Sequence, residues 1–366
     1  MIEPRDAVQR SQLAEHGGRN AVQAGGRDPI VDFSVCLNAF GPADVVRNAI
    51  RSASIDEYPE PNSHAVRELA AARWGVDERE IVFGAGTAEL IHAICFAFVR
   101  VGDRVVVGAP GFGEYARAAG LCSAQVSFTP FSADERVIDA FAREITSVRP
   151  RLVFVASPMN PTGDTIPLQL LERVAEACAS TDTLLVLDQA YDAFVERPVG
   201  CPALASHDNV VHLRSLTKEH ALPGVRAGFA IAPARIAAAI EAVRVPWAAS
   251  APAQAAAIAT FSTPAQRHAT DSARRLREER ARIIGTFESC GFDVRATATH
   301  FFIVHVANGA RMKAELLREH NLLVRDCASF GLPEWIRIAA RTPSENDRLI
   351  EALSILSSRF DCGATA

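Results

Sequence analysis

The sequence predicts an α/β protein: a mostly parallel sheet covered on both faces, followed by a second, smaller α/β layer. Two observations carry this reading. From about residue 80 onward, short apolar or β-branched runs bounded by glycine or proline alternate with longer helical stretches. The runs are apolar throughout, as strands buried on both faces must be. A chain of 366 residues, 49% hydrophobic and 22% charged, is long enough to fill one large core or two ordinary ones.

The elements follow in order. The first 40 residues, broken at Gly17-Gly18 and Gly25-Gly26, read as an irregular arm lying over the body. Strands are expected at about 104–107, 152–156, 183–187, 210–213 and 228–231. Helices are expected between them, near 87–100, 113–120, 167–179 and 233–244. After Pro246-Trp247 comes a long charged helix at about 265–289. Strands at about 301–306, 322–325 and 335–339 follow, with helices near 309–320 and 344–358. The expected organisation is an arm (1–40), a large domain (41–245) and a small C-terminal domain (246–366).

Composition excludes several classes. A net charge of −5 is no electrostatic footprint for nucleic acid. No apolar run approaches the roughly 20 residues of a membrane span, and the N-terminus lacks the regions of a signal peptide. The eight cysteines form no C-x-x-C pair and the ten histidines show no metal-ligand spacing. Reduced thiols, a cytoplasmic location and no metal are therefore expected. There is no complete dinucleotide fingerprint, no phosphate-binding P-loop, no H-E-x-x-H helix and no G-x-S-x-G elbow.

Of the 38 basic residues only two are lysines, Lys218 and Lys313, so amine chemistry has two candidates. Four segments end expected strands: Ser157-Pro158-Met159-Asn160-Pro161-Thr162-Gly163, Leu187-Asp188-Gln189-Ala190-Tyr191, Arg214-Ser215-Leu216-Thr217-Lys218 and Pro223-Gly224-Val225-Arg226. Ligands in open α/β sheets collect at the carboxyl ends of strands.

The chemistry of these segments fits pyridoxal phosphate. The Lys218 amine can form a Schiff base with the aldehyde. Asp188 can keep the pyridine nitrogen protonated. Asn160 and Tyr191 can donate to the ring oxygen. Ser215, Thr217 and Arg226 suit the phosphate, together with the backbone of Gly86-Thr87-Ala88 at an expected helix start. Phe112 can cover the ring face. Each has an ordinary reading by itself: a turn for Asn160-Pro161-Thr162-Gly163, a helix cap for Asp188, a surface charge for Arg226. Their joint order on successive strand ends is what singles them out. Lys313 lies on a polar helix face and reads as solvated.

With these residues in place the chain resembles fold-type I pyridoxal-phosphate enzymes. The resemblance is to the group of histidinol-phosphate aminotransferases and L-threonine-O-3-phosphate decarboxylases, and it runs over nearly the whole length. The specific marks are S-x-T-K-x(4)-P-G-x-R from Ser215 to Arg226, N-P-T-G from Asn160, and D-x-A-Y from Asp188. The resemblance implies a seven-stranded mixed sheet, a small C-terminal domain, an N-terminal arm and a homodimer with shared active sites. It implies that Tyr58 reaches the partner's cofactor phosphate, that Arg337 binds the substrate carboxylate and that Arg325 faces the substrate side chain. It also assigns Asn38 and His16 to the substrate side.

His16-Gly17-Gly18, Asp32-Phe33-Ser34, the segment from Pro110 to Tyr115, and Val324-Arg325-Asp326-Cys327 lean toward the decarboxylase branch. Departures from the family pattern are Cys36 for an asparagine, Gln189 for a glutamate, Ala88 for a polar residue, His300-Phe301-Phe302 for an Ala-Asn-aromatic start, and Glu219-His220 after the lysine. The expected activity is amino transfer from an amino acid or an amino-acid-derived small molecule, phosphorylated or not. Lys218, Asp188 and Tyr191 carry the chemistry in that reading. Decarboxylation of the phosphothreonine type is the alternative, and a non-catalytic cofactor-binding module is the third reading.

Overall fold

The computed structural model describes residues 2–18, 29–200, 202–295 and 297–357. The Gly25-Gly26 break lies outside them, as do Cys201 and Cys362. The strands in chain order are β1 (Val31–Asp32), β2 (Ile81–Gly84), β3 (Arg104–Ala109), β4 (Gln125–Pro130), β5 (Leu152–Ala156), β6 (Leu184–Asp188) and β7 (Val210–Ser215). Then come β8 (Gly228–Ile231), β9 (Val294–Arg295), β10 (Phe301–His305), β11 (Leu322–Leu323), β12 (Arg325–Cys327) and β13 (Leu332–Ala339).

Seven strands form one sheet in the order β2-β8-β7-β6-β5-β3-β4. All run parallel except β8, which is antiparallel to β2 and β7. The pleat explains why the strands read as unbroken apolar runs. Val105, Val107, Leu152, Phe154, Val186 and Leu213 point to one face, where helices Thr87–Phe98, Gly113–Leu121 and Ala234–Ala242 cover them. Val106, Val153, Val155, Leu185 and Leu187 point to the other face, under helices Glu135–Val148 and Leu168–Ala179. Both faces are buried, so alternation disappears from the sequence.

A second, antiparallel sheet has the order β12-β13-β10-β9. Its core joins Phe302, Val304, Ile336 and Ile338 to Met312 and Leu316 of helix Gly309–His320, Leu349 and Leu353 of helix Pro343–Ser357, and Phe287 of the long helix Thr263–Ser289. Among the described residues no helix is long and apolar enough to cross a membrane.

The chain differs from the sequence expectation in several places, beginning with strand β9 and the helices Asp44–Arg51, His64–Trp74 and Ala251–Thr260, none of which was anticipated. Residues 31–33 lie within the segment read as an irregular arm, but they carry a short strand. β1 pairs in parallel with β11, and Val31 and Phe33 join the small-domain core. The expected strand at 322–325 is two short strands, and the β12–β13 register shifts between Asp326 and Cys327. β2 and β4 were not anticipated. β4 is an edge strand, largely exposed, so its sequence carries no continuous apolar signal.

The element that ties arm to small domain makes a stability prediction. Phe33 is fully buried, donates its N–H to Leu323 O (2.7 Å) and accepts from Ala339 N (3.0 Å). Phe33→Ala is expected to cost about 3–5 kcal/mol, seen as a lower urea midpoint with an unchanged slope.

Candidate active site

Six backbone ends converge at one edge of the large sheet. β2 runs through Gly84 to the helix starting at Thr87, β5 to the turn at Asn160, β6 to Asp188, and β7 to Ser215. β3 ends at Ala109, before Phe112. β8 runs the other way, so Arg226 precedes its first residue at the same edge. A cavity of about 110 Å³ opens there. Thr87, Ala88, Phe112, Asn160 and Arg226 line it, with Asp188, Tyr191, Ser215, Thr217 and Lys218.

Lys218 sits in the short helix Leu216–Glu219 that follows β7 directly. Its carbonyl accepts from Asn38 N (3.0 Å), and the Asn38 Nδ2 donates to Glu219 O (3.0 Å). Asn38 Oδ1 accepts from Phe40 N (3.0 Å). The Asn38 side chain is thus spent on holding the lysine backbone rather than turned to a substrate. The Lys218 Nζ lies 5.6 Å from the centre of the Tyr191 ring. Loss of water around the amine lowers its pKa below the usual lysine range, and the Arg337 and Arg226 cations push the same way.

Asp188 is the last residue of β6 and is buried. Its Oδ2 accepts from the Tyr115 hydroxyl (2.7 Å) and its Oδ1 from Ala190 N (3.0 Å). Burial raises its pKa, while these two donors and Lys218 oppose the rise. A cationic ring nitrogen is the partner such a carboxylate lacks. Tyr115 was not among the residues assigned a role from sequence. It stacks on Phe154 (4.9 Å between centres) and meets Phe112 edge-on (5.6 Å). Its signal was its place two residues into the helix that begins beside Phe112, which is visible only once that helix is docked on the sheet.

The phosphate end is built from backbone. Gly86 has φ +89° and caps the twelve-residue helix Thr87–Phe98. A Cβ on Gly86 would lie 2.7 Å from Arg226 Nη2, and one on Gly228 would lie 3.0 Å from Thr87 N. Arg226 itself holds φ +63°, donates to Pro223 O (3.2 Å), and forms no ion pair with any described residue. Hydroxyls, a helix N-terminus and a spare cation in one cradle are the donors a phosphate dianion needs. The residues present therefore fit pyridoxal phosphate at both ends.

The substrate side is different. Arg337 on β13 and Arg325 on β12 are direct cross-strand partners, 5% and 2% exposed. Arg337 donates to Asn160 Oδ1 through Nη1 and to Ser34 O through Nη2 (2.5 Å), and its buried Nε has no partner. Arg325 is bound by Glu15 and Ser329. His16 stays on the rim, against Glu114 (2.9 Å) and Phe112 (5.6 Å between centres). Tyr58 is not in the cavity at all. It is 81% exposed and packs on Trp247, 45% exposed, with ring centres 4.7 Å apart. Lys313 is not the freely solvated charge expected from sequence: it is partly buried and paired with Asp326 Oδ2 (3.0 Å).

A lysine across a cavity from a buried aspartate, beside a glycine-lined anion cradle on this two-sheet scaffold, defines a fold-type I pyridoxal-phosphate enzyme. The chain belongs to the class I and II aminotransferase family, whose model matches residues 28–353, and it is an aminotransferase with pyridoxal phosphate as its cofactor.

It is 32% identical over 338 residues to the histidinol-phosphate aminotransferase of Granulibacter bethesdensis, covering 90% of each chain. It is 34% identical over 332 residues to a histidinol-phosphate aminotransferase of Archaeoglobus fulgidus, covering 88% of this chain and 92% of that one. Its fold matches the pyridoxal-phosphate complex of histidinol-phosphate aminotransferase from Sinorhizobium meliloti with a TM-score of 0.89, at 26% identity and 98% coverage of both. It also matches L-threonine-O-3-phosphate decarboxylase from Porphyromonas gingivalis, with a TM-score of 0.79 at 26% identity, over 90% of this chain and all of that one.

Tyr115 offers a test of the aspartate geometry. Tyr115→Phe removes a donor to a buried carboxylate without changing ring packing. Cofactor affinity is expected to fall roughly tenfold, a loss of about 1.5 kcal/mol, measured by titrating the apoenzyme and following the cofactor's visible band.

Proposed function

We propose that this aminotransferase takes its amino group from an amino-acid-derived phosphomonoester of the histidinol phosphate kind and passes it to a keto acid. The observation that carries the reading is Arg337: a buried guanidinium bound to Asn160, with no ion pair to any described residue. A buried, uncompensated cation is costly unless an anion arrives with the ligand. The names of the curated relatives support the phosphomonoester as that anion.

The cofactor supplies an electron-accepting ring and a carbon that carries the amino group between the two half-reactions. The protein's part is to hold and to move protons. Lys218 is the residue that would hold the cofactor's aldehyde covalently. As a free amine, with its pKa lowered by burial, it would be able to take the substrate's Cα proton. Asp188, kept ionisable by Tyr115 and Ala190, would hold the ring nitrogen's proton. Asn160 and Tyr191 would donate to the ring oxygen. Ser215, Thr217, Arg226 and the N-terminus of helix Thr87–Phe98 would bind the phosphate, and Phe112 would cover the ring. Arg337 would grip the substrate's acid group by a two-pronged ion pair.

The active form in this reading is a homodimer. The exposed Tyr58–Trp247 pair, with Val245 exposed nearby in sequence, supports a second copy packing there. That contact would carry Tyr58 to the other subunit's phosphate cradle. Light scattering of the holoenzyme is expected to give twice the chain mass, and a monomeric, fully active enzyme would sink the shared-site reading.

Two measurements test the catalytic assignment. Borohydride reduction of the holoenzyme is expected to trap the cofactor on Lys218, and label on Lys313 alone would overturn the site. Lys218→Ala is expected to lose at least about 10²–10⁴ of turnover, the share of a positioned proton carrier. In a screen of amino donors, histidinol phosphate is expected to convert the cofactor to its amino form. Carbon dioxide release from phosphothreonine, with no keto acid formed, would replace amino transfer by decarboxylation.

A further inference from the structure

Behind the site, one guanidinium touches the chain in three places. Ser215 lines the cofactor cavity, so the pleat turns Arg214, its neighbour on β7, the other way. The Arg214 side chain is 13% exposed. Its Nη1 donates to Asp192 Oδ2 (2.7 Å) and to the carbonyl of Gln189 (3.4 Å), and its Nη2 lies 3.9 Å from Glu219 Oε2. Asp192 is buried, and its own N–H donates to the same Gln189 carbonyl (3.1 Å). Glu219 is held in turn at its carbonyl by Asn38 Nδ2 (3.0 Å). A second cavity, of about 440 Å³, lies on this side, with Asp192, Arg214, Glu219 and His220 in its wall.

The three anchor points share one property. Gln189 follows Asp188, Asp192 follows Tyr191, and Glu219 follows Lys218. Each is the covalent neighbour of a side chain that lines the cofactor cavity. They come from three different elements: the end of β6, the short turn Asp192–Phe194 and the helix Leu216–Glu219. Planar peptide links pass the position of one residue to the next with little slack. Two of the departures from the family pattern, Gln189 and Glu219-His220, fall in this network. With a neutral amide at 189, the buried guanidinium takes its charge balance from Asp192 and Glu219. A planar fork can hold several acceptors at fixed angles, which a single ammonium cannot do.

We propose that Arg214 is a positioning residue: by tying Gln189, Asp192 and Glu219 together it sets the spacing of Asp188, Tyr191 and Lys218 around the cofactor. This rests on the roles proposed above for those three residues and adds the group that holds them in register. Misplacing reacting groups by about 1 Å costs on the order of 10²-fold in rate, so the tie acts on turnover rather than on substrate affinity.

The test separates positioning from ordinary stabilisation. Arg214→Gln removes both the charge and the fork. Its holoenzyme is expected to keep the cofactor, to lose at least about tenfold in kcat and to hold KM within about twofold. The circular dichroism of the cofactor's visible band, per unit absorbance, is expected to fall, and that readout needs no substrate. Arg214→Gln combined with Asp192→Asn removes both charges of the buried pair. The double variant is expected to regain the urea midpoint lost in the single one while keeping its low kcat and weak dichroism.

Recovery of kcat together with stability would leave Arg214 as charge balance for Asp192 and overturn the proposal. Wild-type kcat and dichroism in Arg214→Gln overturn it too. Should that variant not fold, Arg214→Lys keeps the charge but presents one point in place of a fork. The same split between kcat and KM is expected there in smaller measure, and wild-type kcat with wild-type dichroism again overturns the proposal. Borohydride label missing from Lys218 in the wild-type enzyme would defeat the site reading and the proposal with it. Label on Lys218 with unchanged Arg214 variants defeats the proposal alone.

Discussion

Charge buried at the edge of one sheet is the constraint on which the rest of this structure depends. Asp188, Lys218 and Arg337 lie in a region that protein has largely stripped of water, and Arg226 stands at its mouth. None of these charges is tolerable without a partner. The fold answers with fixed dipoles. Tyr115 and Ala190 hold Asp188, Asn38 fixes the backbone of Lys218, and Asn160 and the Ser34 carbonyl hold Arg337. What remains uncompensated, the face of Asp188, the cradle around Gly86 and Arg226, and the Arg337 cation, matches the charges of a pyridoxal phosphate and an acidic substrate. The proposed residue roles follow from that remainder.

The second sheet brings the buried guanidinium of Arg337 to a site that the first sheet builds. β13 delivers Arg337 against Asn160 of the large domain, a contact spanning 177 residues of sequence. The segment 31–38 stitches the two layers together: Val31 and Phe33 belong to the small-domain core, while Asn38 binds the carbonyls of Lys218 and Glu219.

The neighbourhood of the departures from the family pattern has a physical logic in places. The side-chain amide of Gln189 pairs with nothing charged. Its Oε1 pairs with His212 Nδ1 (2.9 Å) and its Nε2 donates to Gly200 O (2.5 Å). Burial pushes the His212 pKa down to about 3, so the ring is neutral at physiological pH and a neutral amide suits it. Cys36, beside Tyr191 and near Lys218, is a thiol that burial keeps protonated. It therefore adds no charge where an asparagine would add none. For His300, buried with both ring nitrogens unpartnered and its ring tilted 34° to that of Phe194 at 3.8 Å between centres, we have no physical account.

The sequence by itself determined the fold class, the cofactor and the strand ends from which the site is made. It could do so because buried parallel strands leave continuous apolar runs, and because the lysine, the aspartate and the phosphate loop are local features with fixed spacing. It did not show β4, whose exposed residues carry no apolar signal, nor the role of Tyr115, which meets Asp188 across 73 residues. Tertiary structure alone decided what each charge pairs with. Asn38 turned to the lysine backbone, Lys313 to Asp326, and Glu15 to Arg325. Partner choice among charged side chains depends on distance and burial in the folded chain, and neither is written in sequence separation.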